Sequence, residues 1–159
     1  MRVALWSIGP TREAWLREGI ELYRERLPRL APFEYREIPS PKLRGASRTD
    51  ADAHRQAEAA LVEGKLGATD RLFLFDERGR RLTSRALADY LERLQHGGGS
   101  RIVLLIGGAY GFGDGIKRRA EGTIRLSDLT LTHQMARLLA LEQLYRAYSI
   151  LRGLPYHND

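Results

Sequence analysis

The sequence predicts an α/β fold: a mainly parallel sheet flanked by helices. Three observations carry this. Short apolar runs at 3–8, 72–75 and 102–106 alternate with stretches of helical periodicity. Two of them, 72–75 and 102–106, are continuously apolar, the pattern of strands covered on both faces. The last opens directly into a glycine-rich turn, and in such sheets ligands bind beyond the carboxyl ends of the strands.

Each element follows in order. Val3-Ala4-Leu5-Trp6-Ser7-Ile8 reads as a strand closed by Gly9-Pro10. Residues 11–27 set Ala14, Trp15, Ile20, Leu22, Tyr23 and Leu27 among charges, a helix stopped by Pro28. Residues 33–38 alternate with period two, a half-exposed strand, and 39–48 (PSPKLRGASR) form a basic loop. A helix fits 49–63, with Thr49 or Asp50 as its cap. After the strand at 72–75, a helix over 84–95 ends at Gly97-Gly98-Gly99. Residues 123–126 make a short strand and 133–151 a long closing helix. No repeat, low-complexity tract or long linker divides the chain, so residues 1–159 read as one domain.

Composition narrows the partners. The formal charge is +6 and the pI near 10.0. Only three of the 26 cationic residues are Lys (Lys42, Lys65, Lys117). Guanidinium grips phosphate in a bidentate fork and stacks on bases, so an Arg excess suits nucleic acid. Genomic preference for Arg codons explains the ratio as readily, but not the net charge. With no Cys, disulfides and thiolate metal sites are excluded. The four His (54, 96, 133, 157) lack HxxH or HxxxH spacing, so no metal site is expected. No apolar run reaches the roughly 18 residues of a membrane span, and Gly9-Pro10 ends the first one too early for a signal peptide. A soluble, cytoplasmic protein with no membrane partner is expected.

Three strand ends become candidate ligand loops: Phe75-Asp76, Ile106-Gly107-Gly108 and Leu126-Ser127-Asp128. The turn at 106–115 holds five Gly in ten residues. Glycine admits positive φ and close backbone approach. No frame gives GxGxxG, and Lys117 is not followed by Ser or Thr as a phosphate-binding Walker loop requires. A dinucleotide and ATP are therefore disfavoured.

At these residues the chain resembles a known family. Leu105-Ile106-Gly107-Gly108-Ala109-Tyr110-Gly111 is similar to the "IGGxxG" segment of SPOUT-class methyltransferases. Leu126-Ser127-Asp128-Leu129-Thr130-Leu131-Thr132-His133 resembles their "LSxxTxxH" loop. Glu142-Gln143-Leu144-Tyr145-Arg146-Ala147-Tyr148 with Pro155-Tyr156-His157 resembles one branch, the bacterial 23S rRNA (pseudouridine-N3)-methyltransferases of the RlmH type. The likeness extends to the first strand, to Phe33-Glu34 and Glu37-Ile38-Pro39, and to the total length.

The resemblance implies a C-terminal trefoil knot, S-adenosyl-L-methionine as methyl donor, a homodimer, and 23S rRNA in the ribosome as acceptor. It places the donor on three loops, carried over here to Phe75, to Gly107, Gly108 and Gly111, and to Leu126, Ser127, Asp128, Leu129, Thr130 and Leu131. On the acceptor side it implies Arg146, Tyr156 and His157. The imide N3 of pseudouridine must lose a proton, so His157 is a candidate base, Arg146 a stabiliser of the anion, and Tyr156 an orienting group. Glu142 and Arg146 stand at i, i+4, so a purely structural pair is equally open. His133 either orients the donor loop or caps the last helix.

Arg78, Arg80 and Arg81 form a basic loop after a donor-side strand end, with further basic loops at 42–48 and 117–119. Together they suit a phosphate-tracking surface. Arg137, one turn into the last helix, is a candidate contact to RNA or to a second subunit. Base stacking falls to Tyr156 or Phe112. The tail departs from its relatives by ending Asn158-Asp159 rather than in a cation. Two other readings remain: a SPOUT enzyme acting on another RNA base or a ribose, and a non-catalytic basic RNA-binding factor in ribosome assembly.

Overall fold

The computed structural model describes residues 1–43 and 50–159. Apolar alternation makes the first strand two-faced. In β1 (Arg2–Ile8), Val3 and Leu5 turn to one side of the sheet, Ala4, Trp6 and Ile8 to the other. Helix α1 (Ala14–Arg26) follows, closed by a tight 3₁₀ turn through Pro28, and leads into β2 (Phe33–Ile38). Asp50 caps α2 (Ala51–Glu63) by accepting from the Ala53 N–H at 3.0 Å. The alternative cap, Thr49, and most of the basic loop at 42–48 lie outside the described residues.

The next strand is longer than its apolar run. β3 (Asp70–Arg81) leaves its register with the last strand after Phe75 and regains it at Arg80. Residues 76–79 form the irregularity. At Gly79 a Cβ would stand 2.5 Å from the Ile124 backbone, so only glycine fits there. Arg80 and Arg81 are thus strand residues rather than the loop expected of them. The sequence concealed this because their side chains point into water and carry no apolar period.

Thr83 caps α3 (Ser84–His96) through the Ala86 N–H at 3.1 Å. β4 (Arg101–Ile106) is buried but for its first residue. A short helix the sequence did not announce, α4 (Asp114–Arg119), holds the third basic cluster and seats Ile116 in the core. β5 (Gly122–Arg125) and α5 (His133–Leu151) complete the chain.

All pairings are parallel, in the order β2-β1-β4-β3-β5. Leu5 and Leu74 flank the β4 residues Leu104 and Leu105, so the centre of the sheet is apolar on both faces. One face packs Ile20 of α1, Leu87 and Leu91 of α3, and Leu141 and Leu144 of α5 against Leu5, Phe73 and Leu104. The other packs Val62 of α2 and Ile116 of α4 against Trp6, Leu74 and Leu105. Because every strand runs the same way, the turns after β3, β4 and β5 open at one end of the sheet. Among the described residues no helix is long and apolar enough to cross a membrane.

Candidate active site

That end of the sheet holds a cleft of about 960 Å³. Three turns build it, with α1, the first turn of α5, Arg55 of α2 and Lys117 of α4 completing the walls. Of the residues expected to hold a donor, Phe75, Gly107, Gly108, Gly111, Leu126, Ser127, Leu129, Thr130 and Leu131 all line it. Asp128 does not. Hydrogen bonds from Arg125, at 3.1 Å, and from Arg81 hold its carboxylate outside the wall and below its usual pKa. Its place in the motif is filled by a charge pair that shapes the loop.

The glycine turn is braced from the side by α2. The Arg55 guanidinium donates to the Tyr110 carbonyl at 3.1 Å, and His54 stacks on the Tyr110 ring at 4.9 Å. The Glu58 carboxyl lies against Gly108, and burial raises its pKa. Gly111 sits at φ +69 and donates to the Gly108 carbonyl at 3.1 Å, a turn that an L side chain would strain. Sequence reasoning missed these α2 residues; the only signal was that His54, Arg55 and Glu58 share a helical stripe.

The first turn of α5 is stitched to the end of β1. Arg137 is fully buried. Its guanidinium donates to the carbonyls of Ile8 at 2.7 Å and Gly9 at 2.8 Å, and to Thr11 Oγ1 at 3.0 Å. Glu37 lies 3.6 Å away and accepts from Thr11. This corrects the expectation that Arg137 meets RNA: the guanidinium has no exposed surface, and both of its terminal nitrogens donate inside the fold. Gln134 adds bonds to Pro10 and Arg12. His133 lines the cleft, but Thr132 is the helix cap, accepting from the Met135 N–H at 3.1 Å.

A second cluster lies at the far end of α5. Arg146 grips Glu142 with Nε at 3.1 Å and again with Nη2. Glu142 Oε1 also accepts from the Tyr156 hydroxyl at 3.1 Å. The Arg146 guanidinium covers the Tyr156 ring at 4.8 Å, with Tyr145 edge-on at the same distance. Burial first, then Tyr23 and Glu142, raises the Tyr156 pKa, so the phenol stays protonated. His157 Nδ1 stands 3.2 Å from Arg146 Nη1 and Nε2 2.9 Å from Asp159. Arginine only donates, so Nδ1 accepts and the proton sits on Nε2, donated to Asp159.

Arg85 clamps Asp159 at 2.7 and 2.8 Å, and with His157 it pushes that carboxyl down to about 2. Asp159 therefore ties the segment after α5 to α3. The Glu142–Arg146 pair and the residues expected on the acceptor side, Tyr156 and His157, form one hydrogen-bonded network.

Arg78 reaches the cleft, and its N–H donates to Asp76 at 2.8 Å. Arg80 lies over the Tyr90 ring at 5.7 Å, and Arg81 is held by Asp128. All three are exposed.

An all-parallel sheet whose carboxyl-end turns enclose a cleft centred on a glycine turn defines an α/β protein with a small-molecule-sized site at that end. The chain matches the family "Predicted SPOUT methyltransferase" over residues 1–157. It belongs to that family and is a methyltransferase.

Relatives agree along the whole length. The chain is 43% identical to "Ribosomal RNA large subunit methyltransferase H" of Cytophaga hutchinsonii, covering 99% of this chain and 100% of the relative. It is 42% identical to the protein of that name from Geobacter metallireducens, covering 100% of both. For Geobacter sulfurreducens the identity is 44%, over 99% of this chain and 100% of the relative. Among solved structures, a probable methylase family protein from Haemophilus influenzae superposes with TM-score 0.53 at 13% identity, covering 99% of this chain and 70% of that one. At that identity the likeness concerns the fold alone.

Proposed function

We propose that this chain transfers a methyl group from S-adenosyl-L-methionine to N3 of a pseudouridine in 23S rRNA, acting on ribosomes in the cytoplasm. The observation that carries the reading is full-length identity of 42–44% to large-subunit rRNA methyltransferases, in a chain with a donor-sized cleft. The C-terminal segment is taken to be threaded in the knot implied by the family.

The cleft's residues fit the donor. Its volume falls in the range of about 300–1,000 Å³ typical of small-molecule sites. Phe75, Leu126, Leu131 and Met135 offer apolar walls for an adenine ring. The glycine turn leaves peptide groups open to polar edges. Bound there, the donor supplies a methyl already activated on a sulfonium. The protein's task is alignment with the acceptor nitrogen, and fixed orientation is worth effective molarities of about 10⁵–10⁸ M.

Arg146 supplies a permanent cation for the imide anion. Tyr156, held protonated, serves as a hydrogen-bond donor to the base once its hydroxyl leaves Glu142, rather than as a proton acceptor. His157 must release Arg146 before Nδ1 takes a proton. These groups do not line the cleft of their own chain. At about 1.5 Å per residue, Arg146 stands about 20 Å along α5 from His133. This supports a homodimer in which the tail of one copy serves the cleft of the other. Arg78, Arg80 and Arg81 flank the cleft as phosphate contacts.

The test supplies intact ribosomes, free rRNA and labelled donor, and maps methylated nucleosides by mass spectrometry. Methylpseudouridine in the large-subunit rRNA is expected. Methyl on a uridine, a ribose or tRNA overturns the acceptor assignment while keeping the chemistry.

A further inference from the structure

We propose that Trp15 is the stacking surface on which the acceptor nucleobase lies at the mouth of the donor cleft. The inference rests on the proposed action on an rRNA base. N3 of a uracil-type ring lies on its Watson–Crick edge, so the acceptor must be unpaired when it reacts. A base taken out of its helix loses its stacking partners and needs a replacement aromatic face.

Few rings at the cleft can provide one. Phe75 is only 7% exposed and belongs to the core. Phe112 turns inward, where a Cβ on Gly107 would meet its ring at 3.1 Å. Tyr110 is stacked on His54. Tyr156, the other candidate from the sequence, has Arg146 over its face and Tyr145 at its edge. Trp15 lines the cleft and is 56% exposed, against 0% for Trp6. Among the described residues no aromatic ring stacks on it and no guanidinium covers it.

Its mounting is rigid. Arg137 anchors the chain at Ile8 and Gly9, Gln134 Oε1 accepts from the Arg12 N–H at 2.9 Å, and Arg17 donates to the Arg12 carbonyl at 2.7 Å. An indole presented on a fixed segment loses little entropy when a base lands on it. Arg55, Arg78 and Lys117 share the cleft wall with Glu13, Asp76 and Glu77; Arg78 is exposed and can meet a nucleotide's phosphate.

The test compares wild type, Trp15→Ala and Trp15→Phe on intact ribosomes with labelled donor. Calorimetry with S-adenosylhomocysteine and sedimentation of the free protein accompany it. Wild-type turnover on ribosomes establishes the underlying reading; its absence removes that reading before the tryptophan is tested. Given turnover, Trp15→Ala should lower kcat/KM for ribosomes by between about fivefold and about a hundredfold. Homocysteine-adduct affinity should stay within about twofold, and sedimentation should not change. Trp15→Phe should recover most of the loss, since a smaller ring still stacks. Unchanged kinetics in Trp15→Ala overturns the proposal. Equal loss of adduct affinity makes Trp15 a donor wall instead, and a changed sedimentation makes it a subunit contact. A Phe variant as poor as Ala rules out stacking.

Discussion

The two ends of α5 are built on opposite principles. At its first turn, the cleft centres on the backbone of the glycine turn and on the apolar side chains of Leu126, Leu131 and Met135, with charged residues such as Arg78 and Glu77 also on its wall. At its last turns, Glu142, Arg146, Tyr156, His157 and Asp159 form a chain of charge-assisted hydrogen bonds. Under the proposed function, shape and accessible peptide groups hold a donor whose chemistry is already stored within it. Placed charge is what an imide needs when it gives up a proton. On that proposal one helix carries binding at one end and polar chemistry at the other, and lesions at the two ends should separate cleanly.

The sharpest separation comes from truncating the chain after Pro155. Turnover on ribosomes should fall roughly 10²–10⁴-fold, while adduct binding measured by calorimetry stays within about twofold. Equal loss of both would make the tail a structural strap and dissolve the comparison.

The reverse lesion is Gly107→Val. Its Cβ would start 3.1 Å from the Phe112 ring, so the ring or the turn must give way beside the cleft. Donor affinity should weaken roughly tenfold to a hundredfold. The tail network should persist, read from the ring signals of Tyr156 and His157 by NMR.

Arg137→Met probes the stitch that fixes the cleft end of α5. It strands the carbonyls of Ile8 and Gly9 in the interior. A loss of about 1–3 kcal/mol should lower Tm by several degrees in thermal unfolding. A melting curve that matches wild type would show that water enters and replaces the guanidinium.

The smallest effect is a pH dependence at His133. Burial first, then Arg137 and Arg12, pushes this imidazole below its ordinary 6.5. The folded chain then holds fewer protons there than the unfolded chain. Stability is full above pH 6.5 and declines as pH falls below it toward the lowered folded value. His133→Gln should flatten Tm against pH in that window. A variant with the wild-type slope assigns the dependence to another group.

Much of this was legible in the residues. The continuous apolar runs at 72–75 and 102–106 required a two-faced parallel sheet, and strand polarity alone put three candidate loops at one end. The "IGGxxG" and "LSxxTxxH" segments marked the cleft walls. Local pattern failed where a contact spans the chain. Arg137 looked like a cation for RNA, because nothing in its neighbourhood shows that three acceptors from residues 8–11 converge on it. Trp15 read as part of a helix's apolar face, yet it is exposed over the cleft. Arg80 and Arg81 read as loop, yet the strand resumes beneath them.

By itself the sequence determined the periodicities, and with them the elements, the two-faced sheet and the glycine turn. These follow from interactions within a few residues and from which faces must leave water. Tertiary structure decided the burial of Arg137, the outward turn of Asp128 and the separation of cleft from tail. Each depends on which distant acceptor, carboxylate or solvent a side chain meets, and that is settled only when the sheet order brings residues 8–11, 81 and 137 to their places.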